Sequence, residues 1–245
     1  MRKVVLILGA TSAIARATAA VLAAQGYDLY LAGRDAEELT RIASDLAIRY
    51  QIKTGWGVLF AEALDSHARF FAQAISSMGE MDGVVLAMGY LGDQQAARDF
   101  NAGAEVILVN FTAAASLLSH CAGYLETRKQ GFIIGISSVA GDRGRQSNYT
   151  YGAAKGALSL YLQGLRNRLY SSGVRVITVK PGFVDTAMTY GRPGLFQLAS
   201  PQYVGERIVR ALDKRADVIY LPWFWRYIML IIKMIPETVF KRLKL

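Results

Sequence analysis

The chain has few of the residues that form cross-links or metal sites. It contains one cysteine, Cys121, and two histidines, His67 and His120, among 245 residues. A single cysteine excludes an internal disulfide framework and a zinc site made of cysteines alone. Two histidines argue against a histidine-rich metal site. We therefore expect no metal centre, and we expect a reducing, cytoplasmic setting.

Acidic residues are also scarce. The chain has 19 Asp and Glu against 28 Lys and Arg, so its formal net charge is +9, while 53% of its residues are hydrophobic. This composition excludes a disordered chain, and the length fits one α/β domain better than two. The basic residues are scattered rather than arranged in stripes, apart from those near the C-terminus, so we predict no nucleic-acid partner.

Two long uncharged segments resemble export or membrane signals. The N-terminus has a basic start followed by Val4 to Ala15, as in a signal peptide. The run Val4–Leu8 followed by Gly9 favours instead a buried strand and a turn. The second segment, Val106 to Leu125, is long enough to span a bilayer. Its polar side chains favour a buried helix of a soluble protein, which an oligomer contact could also cover.

The C-terminal tail, residues 222–245, combines aromatic and basic side chains. Its longest uncharged run, Tyr227 to Ile232, is too short to span a membrane. Two interpretations stay open: contact with a membrane–water boundary, or a helix packed on its own domain or on a sister subunit. We therefore divide the chain into a nucleotide-binding catalytic domain, 1–221, and this tail.

Strand-like and helix-like segments alternate along the rest of the chain. This alternation predicts one α/β domain, with a doubly wound, parallel, seven-stranded sheet and helices on both faces. The predicted strands are Val4–Leu8, Asp28–Ala32, Gly57–Phe60, Gly83–Met88, Phe132–Ile136, Val174–Val179 and Val218–Leu221. The predicted helices are Ser12–Gln25, Ala36–Tyr50, Ser66–Ser77, Arg98–Thr127, Asn148–Ser171 and Pro201–Lys214.

The turn after the first strand has features of a phosphate-binding loop. Gly9 permits a tight turn, and Thr11 and Ser12 are suited to cap the following helix. Free N–H groups at the start of a helix favour a phosphate, so Ala13 and Ile14 are further candidate contacts. Alanine replaces two of the three glycines usual in a dinucleotide loop. The alternative is close packing of a strand against a helix.

Arg34 follows the second strand, where an acidic residue usually binds a ribose 2′-hydroxyl. A guanidinium suits a 2′-phosphate, which favours NADP(H) over NAD(H). In the competing interpretation, Asp35 only caps the helix that starts at Ala36. Both assignments are compatible.

The segment Tyr151-Gly152-Ala153-Ala154-Lys155 carries the most specific chemistry. Residues four apart lie on one face of a helix, and a nearby ammonium lowers the pKa of a phenol. Such a tyrosine exchanges a proton with a carbonyl or alcohol oxygen. Ser138, at the end of a predicted strand, could hydrogen-bond the same oxygen. The alternative is a surface Tyr–Lys pair.

With these motifs the chain resembles the short-chain dehydrogenases/reductases, over nearly its whole length. The resemblance implies a Rossmann-type fold and an NADP(H)-dependent oxidoreductase. It implies that Tyr151 is the acid/base, that Lys155 lowers its pKa and holds the nicotinamide ribose, and that Ser138 polarises the carbonyl. Asn110 would hold a water of the proton relay. The remaining implied cofactor contacts are Ala87, Met88, Gly89, Pro181, Gly182, Val184 and Thr186.

Loop and tail segments are similar to one branch of that family, the polyprenyl-phosphate 2-keto-pentose reductases. The branch implies a lipid-linked keto-sugar substrate, a flavoprotein oxidase as partner, and a location at the inner face of the cytoplasmic membrane. Arg143, Arg145 and Arg192 would then meet the substrate phosphate, or be ordinary loop charges. The alternatives are a soluble, homo-oligomeric reductase of a small ketone or acyl thioester, and a nucleotide-sensing protein without turnover.

Overall fold

Seven parallel strands form one sheet in the part of the chain that the computed structural model describes, residues 2–191, 196–214 and 216–243. They are β1 (Val4–Leu8), β2 (Asp28–Gly33), β3 (Thr54–Val58), β4 (Gly83–Leu86), β5 (Phe132–Ile136), β6 (Arg175–Pro181) and β7 (Val218–Leu221). The order is β3-β2-β1-β4-β5-β6-β7, so the direction of winding reverses between β1 and β4. The predicted doubly wound parallel sheet is confirmed.

Helices cover both faces of the sheet. They are α1 (Ala13–Ala24), α2 (Ala36–Tyr50), α3 (His67–Met78), α4 (Phe100–Ile107), α5 (Ala113–Arg128), α6 (Tyr149–Leu169), α7 (Pro201–Arg210), α8 (Trp225–Met234) and α9 (Glu237–Phe240). Residues of α1, α2 and α7 share one apolar core, and residues of α3, α5 and α6 share the other. The sheet therefore separates two cores.

Strand β1 contributes to both of these cores. Val5 and Ile7 belong to the core beside α1, whereas Leu6 and Leu8 belong to the core beside α5. Successive side chains of a strand point to opposite faces, so a strand covered on both faces needs an unbroken apolar run. The prediction of a buried strand at the N-terminus is thus confirmed, and the apolar residues there form the centre of the sheet.

The predicted helix Arg98–Thr127 is interrupted. A π-helical turn, Leu108–Thr112, separates α4 from α5 and brings Asn110 into the interior. The combined segment Phe100–Arg128 is long and apolar enough to cross a membrane, but 44% of its most apolar window is buried inside the protein. Its buried residues pack on the sheet, as expected of a core helix.

Strand β3 lies earlier in the chain than predicted, at Thr54–Val58 instead of Gly57–Phe60. The Tyr30 side chain lies directly over Gly55 and Gly57 and occupies the space that their side chains would fill. These glycines gave no apolar signal in the sequence because the neighbouring strand supplies the apolar surface. Strand β4 likewise ends at Leu86, two residues before the predicted end.

We expect Leu118→Ala to lower the free energy of unfolding by about 2–5 kcal/mol, because Leu118 is fully buried on α5 and its truncation leaves a cavity. Urea unfolding monitored by circular dichroism measures the change. Ile48→Ala is the control, since Ile48 is 81% exposed and should change the stability by less than about 0.5 kcal/mol. Equal effects of the two substitutions would contradict burial of this helix.

Candidate active site

A groove of about 1140 Å³ runs along the carboxyl ends of the central strands. Ligands of doubly wound sheets bind at this edge, where the winding reverses. Most of the residues predicted from the sequence line it: Thr11, Ser12, Ala13, Ile14, Ala87, Met88, Gly89, Ser138, Tyr151, Lys155, Pro181, Gly182, Val184 and Thr186. Three do not line the groove, namely Gly9, Asn110 and Arg34. The site is therefore assembled from segments far apart in sequence.

The start of α1 forms one end of the groove. The Ser12 hydroxyl accepts a hydrogen bond from the Ala15 N–H at 3.2 Å, and the first turn has no acidic residue. Gly9 has φ +83°, and a Cβ there would lie 2.7 Å from the Met88 nitrogen. Only glycine fits this contact between the loop and the β4 segment. The helix start is therefore held beside the rest of the site and is free of negative charge.

Lys155 and Tyr151 are buried on α6, with exposed fractions of 3% and 9%. The Lys155 Nζ donates to the Ile136 carbonyl at 3.1 Å and approaches the Met88 carbonyl at 3.5 Å. The Ser138 Oγ accepts from the Ala140 N–H at 3.1 Å, which leaves its hydrogen for a second partner. The predicted surface-pair alternative is therefore wrong, since both side chains lie inside the groove.

The pKa shifts of the two groups have the same cause, burial. Burial raises the pKa of Tyr151 to about 12, and the Ser138 hydroxyl opposes this shift. Burial lowers the pKa of Lys155 to about 8. Burial of the phenolate is the dominant effect on the pKa of Tyr151. The role of Lys155 in lowering the pKa of Tyr151 stays a prediction. The Lys155 Nζ lies 5.9 Å from the centre of the Tyr151 ring.

Asn110 lies behind the groove wall. Its amide nitrogen donates to the Tyr90 carbonyl at 2.5 Å and to the Val106 carbonyl at 2.8 Å, and its Oδ1 accepts from the Tyr90 N–H at 3.2 Å. One amide hydrogen and the Oδ1 thus hold the segment after β4, and the other amide hydrogen bonds a carbonyl of α4. A Cβ at Gly89 would lie 3.3 Å from this Oδ1 and 3.4 Å from the Lys155 Nζ. The role of Asn110 in a proton relay stays a prediction.

Arg34 lies directly after β2, exposed to solvent and outside the groove wall. Within the described residues it forms no ion pair. Asp35 accepts a hydrogen bond from the Glu38 N–H at 3.0 Å and so caps α2, as the competing interpretation predicted. Capping by Asp35 leaves the guanidinium of Arg34 available for a ligand.

The tail packs on its own domain, beside the site. Trp225 is buried, and a Cβ at Gly182 would lie 1.9 Å from its Nε1. Arg143 donates to the carbonyls of Ile232 and Ile235 and pairs with Glu237 at 3.0 Å. No sequence signal indicated these contacts, because the partners lie tens of residues apart.

The arginines expected to meet a substrate phosphate have different surroundings. Arg143 is used by the tail, so it is not available for this role. The Arg145 Nη2 contacts the Met229 sulfur at 3.4 Å, and its buried Nε has no partner among the described residues. Burial lowers the pKa of Arg145. Arg192 lies outside the described residues.

Comparisons with known proteins match this architecture. The family model described as short chain dehydrogenase covers residues 3–193. An uncharacterized oxidoreductase of Mycobacterium tuberculosis is 34% identical to this chain, and the match covers 98% of this chain and 96% of the relative. An uncharacterized oxidoreductase of Streptomyces coelicolor is also 34% identical, and the match covers 97% of this chain and 94% of the relative.

Solved structures share the fold at lower identity. An actinorhodin polyketide ketoreductase variant with NADPH has a TM-score of 0.82 at 19% identity and covers 91% of this chain and 97% of its own. An alcohol dehydrogenase of Thermococcus sibiricus complexed with 5-hydroxy-NADP has a TM-score of 0.79 at 24% identity, and the match covers 90% of this chain and 96% of that chain. This chain therefore belongs to the short-chain dehydrogenase/reductase family of NAD(P)-dependent oxidoreductases.

Proposed function

We propose that this protein is an NADPH-dependent ketoreductase and that its substrate is a polyprenyl-phosphate 2-keto-pentose. The observation that carries the proposal is that Ser138 lines one groove together with the buried Tyr151 and Lys155, and that this groove begins at the start of α1. This arrangement brings proton-donating side chains and a phosphate-binding helix end into a single cavity.

The groove fits a nicotinamide dinucleotide. The start of α1, with Thr11, Ser12, Ala13 and Ile14, would hold the pyrophosphate, because it offers free N–H groups and carries no acid. The Lys155 ammonium would bind the nicotinamide ribose, and Val184 and Thr186 would contact the carboxamide. Ala87, Met88, Gly89, Pro181 and Gly182 would form the walls. When bound, the cofactor supplies the hydride.

Arg34 favours the phosphorylated form of this cofactor. A 2′-phosphate would be paired with a guanidinium that no carboxylate of the described residues neutralises. The end of β2 presents Gly33 where an acid would bind a 2′-hydroxyl and repel a phosphate. These two features are the basis for proposing NADP(H) rather than NAD(H).

The chain's own residues then handle the proton of the ketone. With a pKa of about 12, the Tyr151 phenol keeps its proton at neutral pH, which suits a donor to the carbonyl oxygen of a ketone. The Ser138 hydrogen would bond the same oxygen, because its Oγ already accepts from Ala140. Asn110 keeps the segment around Tyr90 in place beside the ammonium of Lys155.

The loop after β6 supports a substrate with a lipid chain. Met188, Tyr190, Phe196 and Leu198 expose large apolar surfaces, between 37% and 87% of each residue, and Met188 lines the groove. An apolar side chain in the groove wall, with further exposed apolar side chains in the same loop, suits a molecule with a sugar head and a prenyl tail. A flavoprotein oxidase acting at C2 of the sugar would supply the keto substrate.

The test is NADPH consumption by the purified protein with a polyprenyl-phosphate 2-keto-pentose, compared with the same keto sugar without the lipid and with an acyl thioester ketone. Turnover that depends on the lipid supports the proposal. Turnover only with the small ketones would show that the protein is a reductase of small substrates. NADPH binding without any turnover would support the nucleotide-sensing alternative.

We expect Tyr151→Phe to lower kcat by about 100-fold or more and to leave the Kd for NADPH unchanged, since only the transferable proton is lost. Steady-state kinetics and titration of nicotinamide fluorescence measure the two quantities. Tyr149→Phe is the matched control, because Tyr149 is exposed on the same helix and should keep full activity. Retained activity in Tyr151→Phe would overturn the acid/base assignment.

We expect Arg34→Ala to raise the Kd for NADPH by about tenfold to a hundredfold, the effect of a lost charged hydrogen bond. The Kd for NADH should not change. Fluorescence titration with each cofactor measures the ratio of the Kd for NADPH to the Kd for NADH. The control is Arg69→Ala, because Arg69 is an exposed arginine on α3. An unchanged ratio in Arg34→Ala would show that another residue reads the 2′-phosphate.

We expect Lys155→Met to abolish turnover but to raise the free energy of unfolding at pH 7 by on the order of 2–3 kcal/mol. Below pH about 8 the folded protein bears the cost of a buried ammonium, because its pKa is lowered from 10.5 to about 8. Between pH 8 and pH 10.5 the lysine is charged in the unfolded chain and neutral in the folded protein. The free energy of unfolding of the wild type therefore rises with pH in this range. The extra stability of the variant disappears near pH 10.5.

Urea unfolding of wild type and Lys155→Met at pH 7 and at pH 10.5 measures this difference. A variant that is less stable than the wild type at pH 7 would contradict a net cost of burying Lys155.

A further inference from the structure

Five large apolar side chains form a stripe along the outer side of α8 and the turn before it. They are Trp223, Tyr227, Leu230, Ile231 and Met234, each between 51% and 73% exposed. Their spacing of three and four residues places them on one side of a helix, and the rings of Trp223 and Tyr227 are in contact at 5.9 Å. We call this surface the apolar stripe.

The opposite side of α8 is buried and anchored. Trp225 and Met229 are at most 3% exposed and share a small core with Val139, and Arg143 binds the carbonyls at the carboxyl end of the helix. The helix is thus held by its own domain. Within residues 2–191, 196–214 and 216–243 the domain leaves the apolar stripe exposed, and it can therefore contact a partner.

Basic residues border the apolar stripe. Arg226 and Lys233 are two helical turns apart on one edge of α8, and Lys241 and Arg242 follow α9. All four are exposed, and within the described residues none forms an ion pair. The acidic residue of this region, Glu237, pairs with Arg143. The surface around the stripe therefore carries an excess of positive charge.

We propose that the apolar stripe docks on the surface of an anionic lipid bilayer. An amphipathic helix that exposes aromatic and aliphatic side chains between basic residues lies in the plane of the membrane–water interface. α8 has ten residues, about 15 Å, and so is too short to span a bilayer. A second copy of this chain fits less well, because it would bring the cations of two tails together without acids to pair them.

Docking would bring the active site to the lipid surface. The buried side of α8 contacts Gly182 and Val139, which follow β6 and β5 and lie next to Pro181 and Ser138 of the groove. A substrate held in the bilayer by a lipid chain would then reach the groove without leaving the membrane. Binding to lipid does not depend on the proposed sugar substrate, so the two proposals are tested separately.

The experiment is co-sedimentation of the full chain with vesicles of phosphatidylglycerol and phosphatidylcholine in equal parts, and with vesicles of phosphatidylcholine alone, in the absence of substrate. We expect binding to the anionic vesicles that is released by salt. Ile231→Glu should weaken the binding by about tenfold or more, because it places a charge in the apolar stripe. Ile48→Glu, the same change at an isoleucine that is 81% exposed on α2, should bind like the wild type.

A charge series uses a matched pair of double variants. The double variant Arg226→Gln and Lys233→Gln should weaken binding to the anionic vesicles by more than tenfold, because each lost charge weakens it by about fivefold. The control double variant, Arg69→Gln and Lys129→Gln, removes the same charge from exposed positions outside the tail, and its binding to the vesicles should be close to that of the wild type. NADPH titration of every variant confirms that the fold is intact.

Two results would overturn the proposal. One is a wild-type chain that stays in the supernatant with both kinds of vesicle. The other is Ile231→Glu binding as well as Ile48→Glu. If, in addition, light scattering showed that Ile231→Glu alone converts a dimer to a monomer, the apolar stripe would be an interface between two copies of the chain.

Discussion

The ammonium of Lys155 is the point at which the elements of the site meet. It extends from α6 to the carbonyl of Ile136 at the end of β5 and towards that of Met88 after β4, and burial lowers its pKa to about 8. A buried charge is costly, and a protein keeps one where the reaction needs it. Around this charge, the fold brings Tyr151 and Ser138 to the same cavity as the start of α1.

Burial in one site shifts the pKa values of the two titrating groups in opposite directions. The same burial that lowers the pKa of Lys155 raises that of Tyr151 to about 12, so at neutral pH the lysine is mostly charged and the tyrosine keeps its proton. A protonated phenol beside the Ser138 hydroxyl suits proton donation to a carbonyl oxygen. The family shows an NAD(P)-dependent oxidoreductase, and ketone reduction is the direction that we propose for it.

The tail connects chemistry and location. One side of α8 packs on the loops that carry Gly182 and Val139, and the other side presents the apolar stripe to solvent. Arg143 shows how these contacts redirect a residue: a loop arginine that suited a substrate phosphate instead closes the carboxyl end of α8 and pairs with Glu237. Both open interpretations of the tail therefore describe part of it, with packing on its own domain observed and membrane contact proposed.

The sequence by itself determined the sheet, because a strand covered on both faces must be apolar along its whole length, as Val4–Leu8 is. It also indicated the residues of the groove, since turn glycines and a Tyr–Lys pair one helical turn apart are local patterns. Other features were beyond its reach. Strand β3 packs Gly55 and Gly57 under the Tyr30 side chain, and the π-helical turn places Asn110 where it bonds Tyr90. Both contacts join segments that are distant in sequence. The direction of the Tyr151 pKa shift and the use of Arg143 were decided by burial and by contacts between distant segments, which only the tertiary structure brings together.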